Sequence, residues 1–215
     1  MVMNQKTLER ITEDTKVWMP TLDIVPPIYS SDIPNFREWV NWSGWKGYAQ
    51  DHTAHDFAAY LTKYGKVVLG LPKETPVRAV ADGVIRQISN GLAGNGVPYA
   101  CFMNIEHGRK GSGLSTAYHH VDPLVQDGQE VKKGDVVATL YKDEGNVEGK
   151  LVHLHFEMRN AWNVKDRIMN PATIFPQIDT YRAVPQGNPN FRILGLEKQP
   201  EIYIANFKKL LVDNS

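Results

Sequence analysis

Between about Val67 and Met158, apolar and polar residues exchange places every one or two positions, and Gly, Asn and Asp cut the pattern into short runs. Runs of this length with period-two alternation predict strands. They fall at Val77–Val80, Val84–Ser89, Ala100–His107, Ser115–Val121, Asp135–Tyr141 and Leu151–Met158. In the third run Cys101, Met103 and Ile105 share a face, which His107 continues before a turn at Gly108, while Asn104 and Glu106 point the other way. In the last run Leu154, Phe156 and Met158 make an apolar face, and His153, His155 and Glu157 project from the opposite one. Asn90 to Pro98 is Gly-rich and reads as a long hairpin loop. No long helical period interrupts this region, so the pattern predicts a β-sandwich or barrel-like core.

The flanks read differently. Asn4 to Trp18 suits a short helix that stops before Pro20, and Pro20, Pro26, Pro27 and Pro34 then predict extended, irregular chain. Phe36 to Tyr48 is unusually aromatic, with Trp39, Trp42 and Trp45. After Pro176 the chain reads as a tail, with a terminal helix expected over Glu201 to Val212, where Tyr203, Phe207, Leu210 and Leu211 fall roughly on one side. The expected division is an N-terminal extension over residues 1–44, a central domain over 45–176 and a C-terminal tail over 177–215.

A chain of 215 residues can hold one well-cored domain with extensions. Its 24 basic and 24 acidic residues cancel, so bulk charge gives no attraction to nucleic acid or to a membrane surface. No apolar run reaches the roughly 18 residues of a membrane span. Met1 to Trp18 is charged and polar and lacks the apolar core of a secretory signal. That suits a cytosolic protein or one whose signal has been removed. The single cysteine, Cys101, excludes an internal disulfide and a cysteine zinc site. Any metal must therefore be held by His and carboxylate.

All seven histidines lie between His52 and His155, and their local spacings point to chemistry. His153 and His155 start about 6.6 Å apart on one strand face, so one can sit on a metal and the other near its water. His52 and Asp56 would be about 13 Å apart in a straight strand, so sharing an ion requires a bend between them. Taken alone, Asp51 to Phe57 reads as a polar loop. In Thr116-Ala117-Tyr118-His119-His120-Val121, alternation puts Thr116, Tyr118 and His120 on one face, so at most one of the adjacent histidines faces a given site. His107 reads as a packed, hydrogen-bonded histidine.

Taken in order, a His and an Asp four apart, a Tyr-x-His and a His-x-His resemble the lysostaphin-like zinc endopeptidases. The resemblance covers about Trp45 to Pro171. Its His-x-Gly-x-Asp motif matches His52-Thr53-Ala54-His55-Asp56, its Tyr-x-His matches Tyr118-His119-His120, and its His-Leu-His-Phe-Glu matches His153-Leu154-His155-Phe156-Glu157, followed by Arg159. Thr75 to Ala79, Asp82-Gly83-Val84, Ile105 to Gly108 and Val131 to Asp135 look like the family's intervening segments. The resemblance implies a mainly β fold, an antiparallel β-sandwich or half-barrel core of the duplicated-hybrid-motif type, with short terminal extensions containing helix. It implies that His52, Asp56 and His155 bind zinc and that His120 and His153 are metal-free catalytic histidines. The implied activity is hydrolysis of peptide bonds in peptidoglycan, which places the protein in the cell envelope. Glu157 would orient a ligand imidazole.

The chain departs from the family pattern at Ala54, which stands where glycine is expected, at His55, which replaces an apolar residue, and at the charged loop Tyr141 to Lys150, which borders the expected cleft. The segment Met1 to about Gly44 is expected to shape or cover that cleft, with Asn35 or Asn41 able to offer an oxygen. The alternative is a non-catalytic family member acting as an activator or scaffold for other wall hydrolases. A biotinyl- or lipoyl-type carrier lacks its lysine hairpin tip here, and a D,D-dipeptidase needs ligands seven apart and a Glu-x-x-His.

Overall fold

The computed structural model describes residues 23–42, 52, 54–92, 98–108, 114–141, 151–159, 168–187, 190–196, 198, 200 and 202–204. The fold is mainly β. Its strands are β1 (Phe36–Asn41), β2 (His55–Phe57), β3 (Ala59–Thr62), β4 (Val67–Leu69), β5 (Pro76–Arg78), β6 (Gly83–Leu92), β7 (Pro98–His107), β8 (Ser115–Pro123), β9 (Glu130–Val131), β10 (Val136–Leu140), β11 (Leu154–Arg159), β12 (Ile168–Met169), β13 (Tyr181–Gly187), β14 (Asn190–Leu194) and β15 (Ile202–Ile204). Among the described residues the only helical turns are short 3₁₀ segments at Ser30–Asp32, Pro171–Thr173 and Pro176–Asp179.

Two sheets form. The larger runs β12-β11-β8-β7-β6-β9 and curls into a half-barrel, with β2 added on β11 and β10 joining β8 to β5. The smaller runs β14-β13-β1-β3-β4-β15. Alternation in the sequence explains the inner layer of the larger sheet. Met103, Ile105, Tyr118, Leu154, Phe156 and Met158 are all fully buried on one face. Each such large side chain contributes about 1.5–3 kcal/mol relative to exposure. Cross-strand pairing sets the other face: Asp56 lies opposite His155, His155 opposite His119, and His119 opposite Phe102.

Three expectations change. First, within the helix expected over Glu201 to Val212, Ile202–Ile204 is instead a strand paired in parallel with β4, and the remainder lies outside the described residues. Second, the chain after Pro176 is not a loose tail. Strands β13 and β14 pair antiparallel, and β13 pairs in parallel with β1, so segments on both sides of the larger sheet's strands build one sheet. Parallel pairing at long sequence separation leaves no local turn signal to read. Third, the hairpin loop is shorter than expected, since β6 and β7 pair as far as Leu92 and Pro98. The helix expected over Asn4 to Trp18 and most of the loop Tyr141 to Lys150 lie outside the described residues. The N-terminal segment does reach the core from Asp23 onward. Ile28 and Ile33 are buried, and Val25 N–H donates to Val80 O at 2.8 Å.

Candidate functional site

Strands β2, β8 and β11 carry the candidate residues side by side. Asp56 sits in β2 between His55 and Phe57. Those two side chains point to the core, so Asp56 points to the other face, next to His155. The chain bends at Ala54, and that bend brings His52 back, its Nε2 3.0 Å from Asp56 Oδ2. Ala54 is fully buried and is not among the residues with positive φ, so the bend needs no glycine. Opposite, His155 Nδ1 lies 3.2 Å from Asp56 Oδ1. One ligand atom from each of His52, Asp56 and His155 falls within 4.8 Å of the others. For zinc bonds of about 2.0–2.2 Å in tetrahedral array, ligand atoms stand about 3.3–3.6 Å apart. The two separations above come close to this. Asp56 Oδ1 is buried and meets no hydrogen-bond geometry despite its closeness to His155. Two imidazoles and one carboxylate aimed at a common point are a donor set that suits zinc.

The electrostatics agree. Burial opposes the charge on Asp56, but the His155 and His52 imidazoles hold its carboxyl far below the usual carboxylate range. Burial pushes His155 down, yet Asp56 and Glu157 on either side raise it to about 9. The field of this cluster favours positive charge. Glu157 is nearly inaccessible and places Oε1 3.4 Å from His155 Nε2, while Arg159 holds its Oε2. Glu157 thus fixes the ring of His155 from the side away from Asp56, the orienting role expected of it.

His153 precedes β11. Its Nδ1 lies 2.7 Å from Leu151 O, and a carbonyl only accepts, so Nδ1 carries the proton. In the neutral ring Nε2 then keeps its lone pair, facing the site 4.0 Å from Asp56 Oδ1. The ring centroids of His120 and His153 are 4.5 Å apart, and those of His120 and His155 are 6.1 Å apart.

The register of β8 corrects the alternation argument. Cys101 pairs with Val121 and Phe102 with His119, so His120 is an extra residue in the register between those two pairs. It forms a β-bulge with φ of +64°, in the left-handed region. Tyr118 is on the core face, so alternation turns His119 toward the site, and the bulge turns His120 to the same side. His119, expected to point away, has its ring centroid 4.7 Å from that of His155. Burial and then His155 push its pKa down to about 3, so it is a neutral imidazole.

The remaining histidines face the core. His55 is buried against Phe57, and burial pushes it down to about 4; it stands apart from the group of His52, Asp56 and His155. His107 is fully buried, its Nδ1–H donating to Asp82 O at 3.1 Å and its Nε2 2.7 Å from Thr116 Oγ1. Tyr118 hydrogen-bonds Thr116 at 3.1 Å and accepts from Val80 N–H at 3.3 Å, on the core face. Asn41 donates to Asp179 instead of offering an oxygen to the cluster, and Asn35 is exposed in a turn.

The model of peptidase family M23 matches residues 62–171. The chain belongs to that family. The M23 match takes in His119, His120, His153, His155 and Glu157, while His52 and Asp56 precede it. No curated protein matches the chain. Among solved structures, LytU is 19% identical with a TM-score of 0.45, over 66% of this chain and 85% of its own. The catalytic domain of the antimicrobial peptidase lysostaphin from Staphylococcus simulans is 18% identical with a TM-score of 0.44, over 69% and 98%. A zinc containing peptidase from Vibrio cholerae is 25% identical with a TM-score of 0.43, over 67% of this chain and 37% of its own.

Proposed function

We propose that this M23 chain is a zinc-dependent endopeptidase that cuts peptide bonds in peptidoglycan cross-links, with zinc on His52, Asp56 and His155. The observation that carries this reading is the convergence of those three donors beside two further imidazoles, His120 and His153. Zinc held there supplies Lewis acidity, which polarises a scissile carbonyl and makes water nucleophilic near neutral pH. His153 Nε2, its lone pair set by the Nδ1–H bond to Leu151 O, accepts a proton from the attacking water. His120, held on the bulge, donates to the developing oxyanion or to the leaving amine. Glu157 keeps His155 in one orientation. Such a substrate places the protein in the cell envelope. Among the described residues no helix is long and apolar enough to cross a membrane.

Digestion of purified peptidoglycan from several wall types, read out as product masses, tests the function. New muropeptides with a free amine at one cross-link position are the expected result. Cleavage of a soluble protein with no muropeptide product overturns the substrate class. A protein that holds no zinc and cuts neither is the scaffold alternative.

A further inference from the structure

The site face carries a second set of donors, assigned so far to no ion. His119, His155 and Glu157 each offer one ligand atom within 4.8 Å of the others. Three observations single the set out. His119 Nε2 is buried and makes no hydrogen bond. His155 Nε2 and Glu157 Oε1 are 3.4 Å apart, the edge of a tetrahedron with zinc bonds of about 2.1 Å. Arg159 binds Glu157 through Oε2 and leaves Oε1 turned to His155. Regular alternation from the core-facing Tyr118, ahead of the bulge, puts His119 there. His155 addresses the first set through Nδ1 and this one through Nε2, so the two sets meet on opposite nitrogens of one ring.

We propose that His119, His155 Nε2 and Glu157 Oε1 form a second, weaker zinc site coupled to the first through the His155 ring. Filling both sets uses both ring nitrogens, so the ring gives up its last proton to solvent. The Arg159 guanidinium beside Glu157 adds repulsion that the first set does not meet. Both effects make this the second site to fill. The proposal shares His155 with the catalytic reading but does not require turnover.

Calorimetric titration of the purified chain with zinc alone tests it, using wild type, His119→Phe, His119→Gln and Asp56→Ala. Wild type should bind two equivalents, the second at least tenfold more weakly. Both His119 variants should lose the weak equivalent and keep the tight one, and Asp56→Ala should lose the tight one. A weak equivalent that survives in a folded His119 variant overturns the proposal, as does wild type saturating at one. Should Asp56→Ala keep its tight zinc, the first set is wrong, a result separate from the His119 comparison. The two His119 replacements, one apolar and one polar, guard against a single misfolded variant.

Discussion

The two faces of β8 treat buried histidine in opposite ways. On the core face, His107, Thr116 and Tyr118 close a chain of hydrogen bonds that ends on backbone at Asp82 and Val80. On the other face, Asp56 Oδ1 and His119 Nε2 are buried with no hydrogen bond, around an imidazole raised to about 9. A buried polar atom left unmatched costs about 1–3 kcal/mol. The core face avoids that cost from within the chain. The site face does not, and its atoms converge at distances a metal ion spans. Burial alone therefore does not separate a histidine satisfied within the core from one left open on the site face. What separates them is where the lone pairs go.

The largest effect expected on the site face is on catalysis. His120→Ala and His153→Ala should retain zinc while the initial rate falls about 10²–10³-fold, the usual cost of losing one group that acts on a proton or an oxyanion. Zinc lost together with activity would place either residue among the ligands instead. The core face should answer to pH. Burial holds His107 at about 4, below its ordinary value of 6.5. Its contribution is complete above pH 6.5 and is lost as the pH falls from there through about 4, because the unfolded chain binds the proton first. Between pH 7 and 5 this amounts to about 2 kcal/mol, and His107→Gln should remove that part of the slope in denaturant unfolding. An unchanged slope would mean that His107 is not held neutral. The smallest effect tests the bulge. His120 occupies the left-handed region, so His120→Gly should be more stable than His120→Ala by about 1 kcal/mol. Equal stability would argue against the bulge.

Much of this was legible in the sequence. Period-two alternation located the strands and put Leu154, Phe156 and Met158 on the core face with His155 and Glu157 on the opposite one, because burial of one face forces that period. The same logic identified His107 as a packed residue. It failed at the pair His119-His120: Tyr118 faces the core, so alternation itself turns His119 to the site, and a bulge at His120 then breaks the alternation and brings that residue to the same face. No residue type announces a bulge in this run, which has no glycine. Alternation also said nothing of the second sheet, whose parallel pairs join Val40 to Tyr181 and Val67 to Ile202. Contacts so distant in sequence leave no local pattern.

Zinc content is the most direct test of the claim that the site face, and not the core face, is built for metal. Wild type, Asp56→Ala and His107→Gln would be loaded with zinc, dialysed against a weak chelator that strips loosely held ion, and measured by elemental analysis. The account predicts one zinc per chain in wild type and in His107→Gln, and none in Asp56→Ala. Full occupancy in Asp56→Ala, with the protein folded, would contradict it.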